Sequence, residues 1–120
     1  MIALTACSGV GRVPESTQTA LSGRTIYERD CLACHMSSGG GVPGMTPSLI
    51  ASPWITGEAD ALIGYVLTGG FSPQILMARF DFLTDVEMAA VLTYVRGAFG
   101  DGVSPLTPDQ VRRVRAQVGL

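Results

Sequence analysis

Apolar residues recur at helical intervals along much of this chain. Met88, Val91, Leu92, Val95 and Phe99 follow i, i+3, i+4, i+7 spacing, which predicts a helix from Thr84 to about Ala98 with one inner stripe. Thr84 stands three residues before Glu87, the spacing of a capping box. Val111, Val114 and Val118 repeat the pattern near the C-terminus, with Arg112, Arg113 and Arg115 crowding the other side. That stretch opens on Thr107-Pro108-Asp109-Gln110, a second capping box with proline at the first helical position. Leu62, Ile63, Val66 and Leu67 predict a helix over Glu58 to Leu67, ended by Gly69-Gly70. A further helix starts near Ser22 as N-cap and runs through Arg24 to Asp30. No segment of useful length alternates like a strand, and no internal repeat is present. The pattern predicts an all-α domain of about four helices.

The chain divides into three parts. Residues 1–21 are small, polar and aperiodic, and read as a processing and linker segment. Residues 22–100 hold the first three helices, and 101–120 form a Gly/Ser/Pro-rich connector with the last helix. With 120 residues there is room for one core. Hydrophobic residues make up 47%, yet no run approaches the ~18 apolar residues of a membrane span. Eight arginines face ten carboxylates for a net charge of −2, and there is no lysine. Without a basic stripe, nucleic acid is not an expected partner.

The chemistry concentrates in Cys31-Leu32-Ala33-Cys34-His35. A C-x-x-C-H string reads as an attachment site for c-type haem. Positions 31, 34 and 35 share one helical face, so both thiols can meet one porphyrin edge while the imidazole rises to the iron. Two alternatives remain open. A dithiol redox pair needs a βαβ pattern around it, and a structural zinc site needs four N or S ligands, whereas the chain has one His and three Cys.

A haem iron needs a donor opposite His35, and no second histidine exists. Of the five methionines, Met1 lies in the leader, Met36 and Met45 lie on the proximal side, and Met88 falls on a helix's inner stripe. Met77, in an irregular segment just before that helix, is the expected sixth ligand. Leu49, Leu67, Phe80 and Leu92 are expected to line the pocket. Trp54 either gives its indole N–H to a propionate or fills core, and Arg79 faces a propionate, a partner or solvent.

Several of these stretches together resemble the class I c-type cytochromes over most of 22–100. Gly23-x-x-x-Tyr27 before the C-x-x-C-H string, with Tyr94 in the later helix, resembles the family's crossing of N- and C-terminal helices. Met77-Ala78-Arg79-Phe80 and Leu83-Thr84-Asp85 resemble its distal-ligand segment, with Ala78 where the family usually has proline. Pro47-Ser48-Leu49 resembles the segment whose proline carbonyl accepts the proximal His N–H. The stretch from Gly41 to Trp54 looks especially like cytochrome subunits of quinoprotein and other periplasmic dehydrogenases. The resemblance implies a small cytochrome c-like domain wrapped around one covalently bound haem c. It implies an electron carrier rather than an enzyme, with a dehydrogenase or respiratory complex and an acceptor as redox partners. A haem protein with a labile distal Met that binds small ligands, or a permanently docked subunit, is the alternative.

Leu4-Thr5-Ala6-Cys7 resembles a bacterial lipobox, with Cys7 as the lipidated residue, although only six residues precede it. Since the resemblance implies haem attachment outside the cytoplasm, the expected location is the periplasm or the outer face of the cytoplasmic membrane, with a possible lipid anchor. Mass spectrometry under denaturing conditions should show the chain heavier by one haem. Haem lost to acid–butanone extraction would refute covalent attachment.

Overall fold

The computed structural model describes residues 21–70, 77–102 and 104–120. Six helices follow one another: α1 (Gly23–Asp30), α2 (Leu32–His35), α3 (Pro53–Thr56), α4 (Ala59–Thr68), α5 (Asp85–Phe99) and α6 (Pro108–Gln117). Among the described residues there is no strand; Val42 and Thr46 form one isolated antiparallel bridge. The expected helices are α1, α4, α5 and α6, and the fold is all-α as the periodicity indicates. The two short helices, α2 and α3, carry too few residues to show a period of their own.

The start and stop signals act as their chemistry requires. Ser22 Oγ accepts the Thr25 N–H, and Thr84 and Thr107 each form a complete capping box. Gly69 ends α4 in the left-handed region at φ 82°. Glu58 is the extended N-cap of α4 rather than its first residue, and α4 reaches Thr68, whose hydroxyl donates back to the Gly64 carbonyl at 2.7 Å.

The core forms where α1 crosses α5 and where α6 closes over α4 and α5. Ile26, Ile63, Leu67, Met88, Val91 and Val111 are sealed within it. The five residues of the α5 stripe are all buried. Gly23 permits the tightest contact: a Cβ there would stand 2.0 Å from the Ala90 carbonyl oxygen and 2.9 Å from the Tyr94 Cβ. Below it the Tyr27 ring lies 5.5 Å from Tyr94 and 5.4 Å from Phe99, in tilted aromatic contacts.

One expectation for the last helix needs correction. Val118 is 37% exposed, because α6 ends at Gln117 and Val118 is its C-cap. Arg115, unlike the exposed Arg112, folds back onto residues 81–85, where it finds several acceptors at once. The connector before α6 is also pinned, since Thr93 Oγ1 accepts the Leu106 N–H at 3.0 Å and Leu106 is buried.

Replacing Gly23 by Ala forces a methyl into backbone that cannot yield. Overpacking of this kind costs about 1–3 kcal/mol. For a domain of this size that is a fall in melting temperature of roughly 4–8 °C per kcal/mol. Thermal denaturation followed by far-UV circular dichroism checks it.

Candidate functional site

Helix α1 delivers the chain to Cys31, which accepts a change of direction without breaking the run of hydrogen bonds. The Cys31 N–H donates to the Tyr27 carbonyl at 2.9 Å, and the Cys31 carbonyl accepts from Cys34 N–H at 3.2 Å and His35 N–H at 2.9 Å. At φ −118° Cys31 ends one helix and caps the next. Cys31, Cys34 and His35 therefore lie on one turn, as their spacing requires. The turn stops at Met36, a non-glycine residue at φ 63°. The Tyr27 hydroxyl donates to the Met36 carbonyl, tying the end of the motif back to α1.

Both Cys31 and Cys34 are free thiols, the first half-buried against the core and the second exposed. Burial, reinforced by the Asp30 carboxylate, pushes the Cys31 thiol up to about 11. A dithiol redox pair needs the reverse, a stabilised thiolate. No three His, Cys, Asp or Glu side chains group as metal ligands among the described residues, so the zinc alternative finds no ligand set there.

His35 is half-buried, and burial holds its pKa below the usual imidazole value, which favours the neutral, metal-binding form. Its Nδ1 is buried and has no hydrogen-bond partner among the described residues. Such an orphan in a folded interior points to a group that the ring serves or leans on. The loop after it is glycine-rich for a steric reason. Gly41 N–H donates to the His35 carbonyl at 3.1 Å, and at φ 67° a Cβ on Gly41 would stand 2.2 Å from the Thr46 carbonyl oxygen and 2.7 Å from that of Pro47. Pro47 thus sits in the same turn system as His35, with its carbonyl over Gly41. Leu49 is tied in by donation to the Gly39 carbonyl at 2.7 Å.

Met77 is half-buried and packs against the core, as do Leu49, Phe80 and Cys31. Its carbonyl lies against Gly69, where a Cβ would come within 2.7 Å, and Phe80 N–H donates to the Val66 carbonyl at 3.1 Å. The segment 77–80 therefore hangs from the end of α4. The competing methionines are placed elsewhere: Met88 is wholly buried on α5, Met45 is 82% exposed, and Met36 caps α2. Met1, Cys7, Ile75 and Leu76 lie outside the described residues.

Leu67 and Leu92 are deep core. Trp54 is not core filling: it is 48% exposed on α3, with its ring 4.6 Å from that of Tyr65. Arg79 pairs with Asp81 at 2.8 Å on the surface. Sequence reasoning passed over Tyr65, which lies three residues from Leu62 on α4 and also blocks any side chain at Gly70. Its spacing from Leu62 and the following double glycine were the available signals.

The arrangement fits a covalently attached haem. Two thiols and an imidazole share one turn, the imidazole keeps an unpartnered buried nitrogen, and Leu49, Met77 and Phe80 supply an apolar, half-buried border.

Burial pushes the Tyr27 phenol up to about 12, with Cys31 and Tyr94 adding to the rise. The unfolded chain has the lower, ordinary value of about 10, so it releases this proton first. The stability that the neutral phenol contributes is therefore complete below pH 10 and declines from there towards pH 12. Tyr27→Phe should cost about 1 kcal/mol at neutral pH through the lost Met36 contact, and should flatten the alkaline decline. Chemical denaturation across that pH range measures both.

Comparison with known proteins agrees with this geometry. Residues 18–95 match the family described as cytochrome c oxidase, cbb3-type, subunit III. Cytochrome c-552 of Thermus thermophilus is 32% identical over 112 residues, covering 79% of this chain and 85% of the relative. The gluconate 2-dehydrogenase cytochrome c subunit of Pantoea cypripedii is 34% identical over 91 residues, 68% of this chain and 21% of that subunit. The fructose dehydrogenase cytochrome subunit of Gluconobacter japonicus is 34% identical over 107 residues, 78% of this chain and 22% of the relative. The chain thus spans about a fifth of the length of these two dehydrogenase subunits. With a C-x-x-C-H turn at the end of its first helix and matched residues that run from that helix into α5, the chain belongs to this cytochrome c family of electron-transfer proteins.

Proposed function

We propose that the chain is a monohaem electron carrier in which Cys31 and Cys34 would form the thioether links and His35 and Met77 would hold the iron. The observation that carries this reading is the pairing of the Cys31–His35 turn with a half-buried Met77 on one core. When bound, the haem supplies a one-electron Fe(II)/Fe(III) couple. Everything else falls to the protein. The neutral imidazole of His35 would hold the iron through Nε2, and the Pro47 carbonyl would be the acceptor for Nδ1, which has no partner among the described residues. The Met77 thioether is a soft donor that favours the ferrous form and raises the potential. Leu49 and Phe80 would exclude water from the border, and Trp54, exposed on α3, would donate its indole N–H to a propionate.

No catalytic acid–base pair enters the reading; the chain passes electrons and transforms no substrate. Its partners are a dehydrogenase or respiratory complex and an acceptor, supported by the cytochrome subunits among its relatives. The exchanging edge would lie beside the Ile75-Leu76-Met77-Ala78 segment, whose apolar sequence makes docking only modestly dependent on salt. A permanently docked subunit is the second reading, supported by the dehydrogenase cytochrome subunits among the relatives. The relatives are bacterial, and no helix among the described residues is long and apolar enough to cross a membrane. We place the protein in the periplasm or at the outer face of the cytoplasmic membrane, held there by a lipid on Cys7.

Met77→Ala should remove the weak long-wavelength charge-transfer band of the ferric protein, lower the potential and let carbon monoxide bind the ferrous form. Visible spectroscopy and a redox titration test it. The same changes in Met45→Ala or Met88→Ala, with Met77→Ala unaffected, would overturn the ligand assignment.

A further inference from the structure

We propose that Arg115, on the C-terminal helix, is a positioning residue that clamps the Met77 segment and so sets how readily the thioether leaves the iron. The inference rests on the reading of Met77 as a ligand. Its observation is different: Arg115 Nε donates to Asp85 Oδ1 at 3.0 Å, while its terminal nitrogens donate to the Asp81 carbonyl at 2.9 Å and the Leu83 carbonyl at 2.8 Å. One planar guanidinium thus holds both ends of the turn that joins Phe80 to α5, and only 20% of the side chain is exposed. Such a fork is specific to arginine, since a lysine ammonium on its flexible stem cannot face the three acceptors in that fixed geometry.

The clamp matters because of what lies between two anchors. On one side Phe80 N–H bonds to Val66 and the Met77 carbonyl abuts Gly69, both at the end of α4. On the other side stands the turn held by Arg115, with Leu83 buried beneath it. Met77 to Phe80 therefore spans a short bridge, and Ala78 leaves it without the rigidity of a proline. Helix α6 can serve as an abutment because it is itself fixed. Val111 and Val114 are buried, and Arg113 grips Asp60 of α4 through both carboxylate oxygens at 3.0 and 3.1 Å. This helix lies beyond the residues that match the family, 18–95. The chain has no lysine and no second histidine. A released Met77 therefore has no such side chain to replace it, and the iron is left open to an added ligand.

The test compares Arg115→Lys, Arg115→Ala and the milder Asp85→Asn with Arg112→Ala, which loses only an exposed pair with Asp109. In the purified haem-loaded protein, carbon monoxide association with the ferrous form should speed up by on the order of tenfold in both Arg115 variants, as expected when charge-assisted hydrogen bonds are lost. Asp85→Asn should fall between them and the parent, and Arg112→Ala should match the parent. Hydrogen exchange of the Phe80 amide should accelerate in the same order, a readout independent of the iron. Placed in a Met77→Ala background, Arg115→Ala should no longer change carbon monoxide binding. Unchanged association in both Arg115 variants, or a change that persists without Met77, overturns the clamp. If Met77→Ala leaves the charge-transfer band intact, the ligand assignment itself is wrong, which is a separate result.

Discussion

The close crossing of α1 over α5 is the contact on which the other features depend. It exists because Gly23 has no Cβ, so the α1 backbone can rest directly on the Ala90 carbonyl. Once the two helices touch there, Tyr27 is carried into a cluster with Tyr94 and Phe99. Its hydroxyl then fixes the carbonyl of Met36. Cys31, Cys34 and His35 sit between these fixed points, so the position of the donor turn is inherited from a helix crossing formed some two turns earlier in the chain.

The rest of the site is assembled from loops, and each is held by a few backbone bonds. Gly39 and Gly41 draw the loop after His35 back under the motif and bring Leu49 with it. Gly69 and Val66 suspend Met77 and Phe80 from α4. Neither loop is stabilised by regular structure, and each borrows rigidity from a helix end. The helices bury the apolar surface, while the loops bring Leu49, Met77 and Phe80 half-buried against it.

Chemistry at the donor turn also separates readings that share the same motif. A half-buried Cys31 thiol with a raised pKa does not suit a sulfur cycling between thiol and disulfide, which needs a stabilised thiolate. On the same turn, His35 Nδ1 is buried without a hydrogen-bond partner among the described residues.

Much of this was legible in the sequence. The four long helices, both capping boxes and the buried stripe of α5 follow from local periodicity and side-chain chemistry, which act within a few residues and leave their mark in order along the chain. The C-x-x-C-H string was equally plain, because its three donors share one turn. What the sequence did not disclose were contacts between distant segments. Trp54 on Tyr65, the Tyr27–Met36 bond and above all the inward course of Arg115 depend on which helices meet and at what height. In sequence Arg115 stands with Arg112 and Arg113 on the side of α6 opposite its valines, and from the helix alone its position differs little from that of Arg112. Only the packing of α6 against α4 and α5 brought the carbonyls of Asp81 and Leu83 within its reach, and long-range geometry of that kind has no local signature.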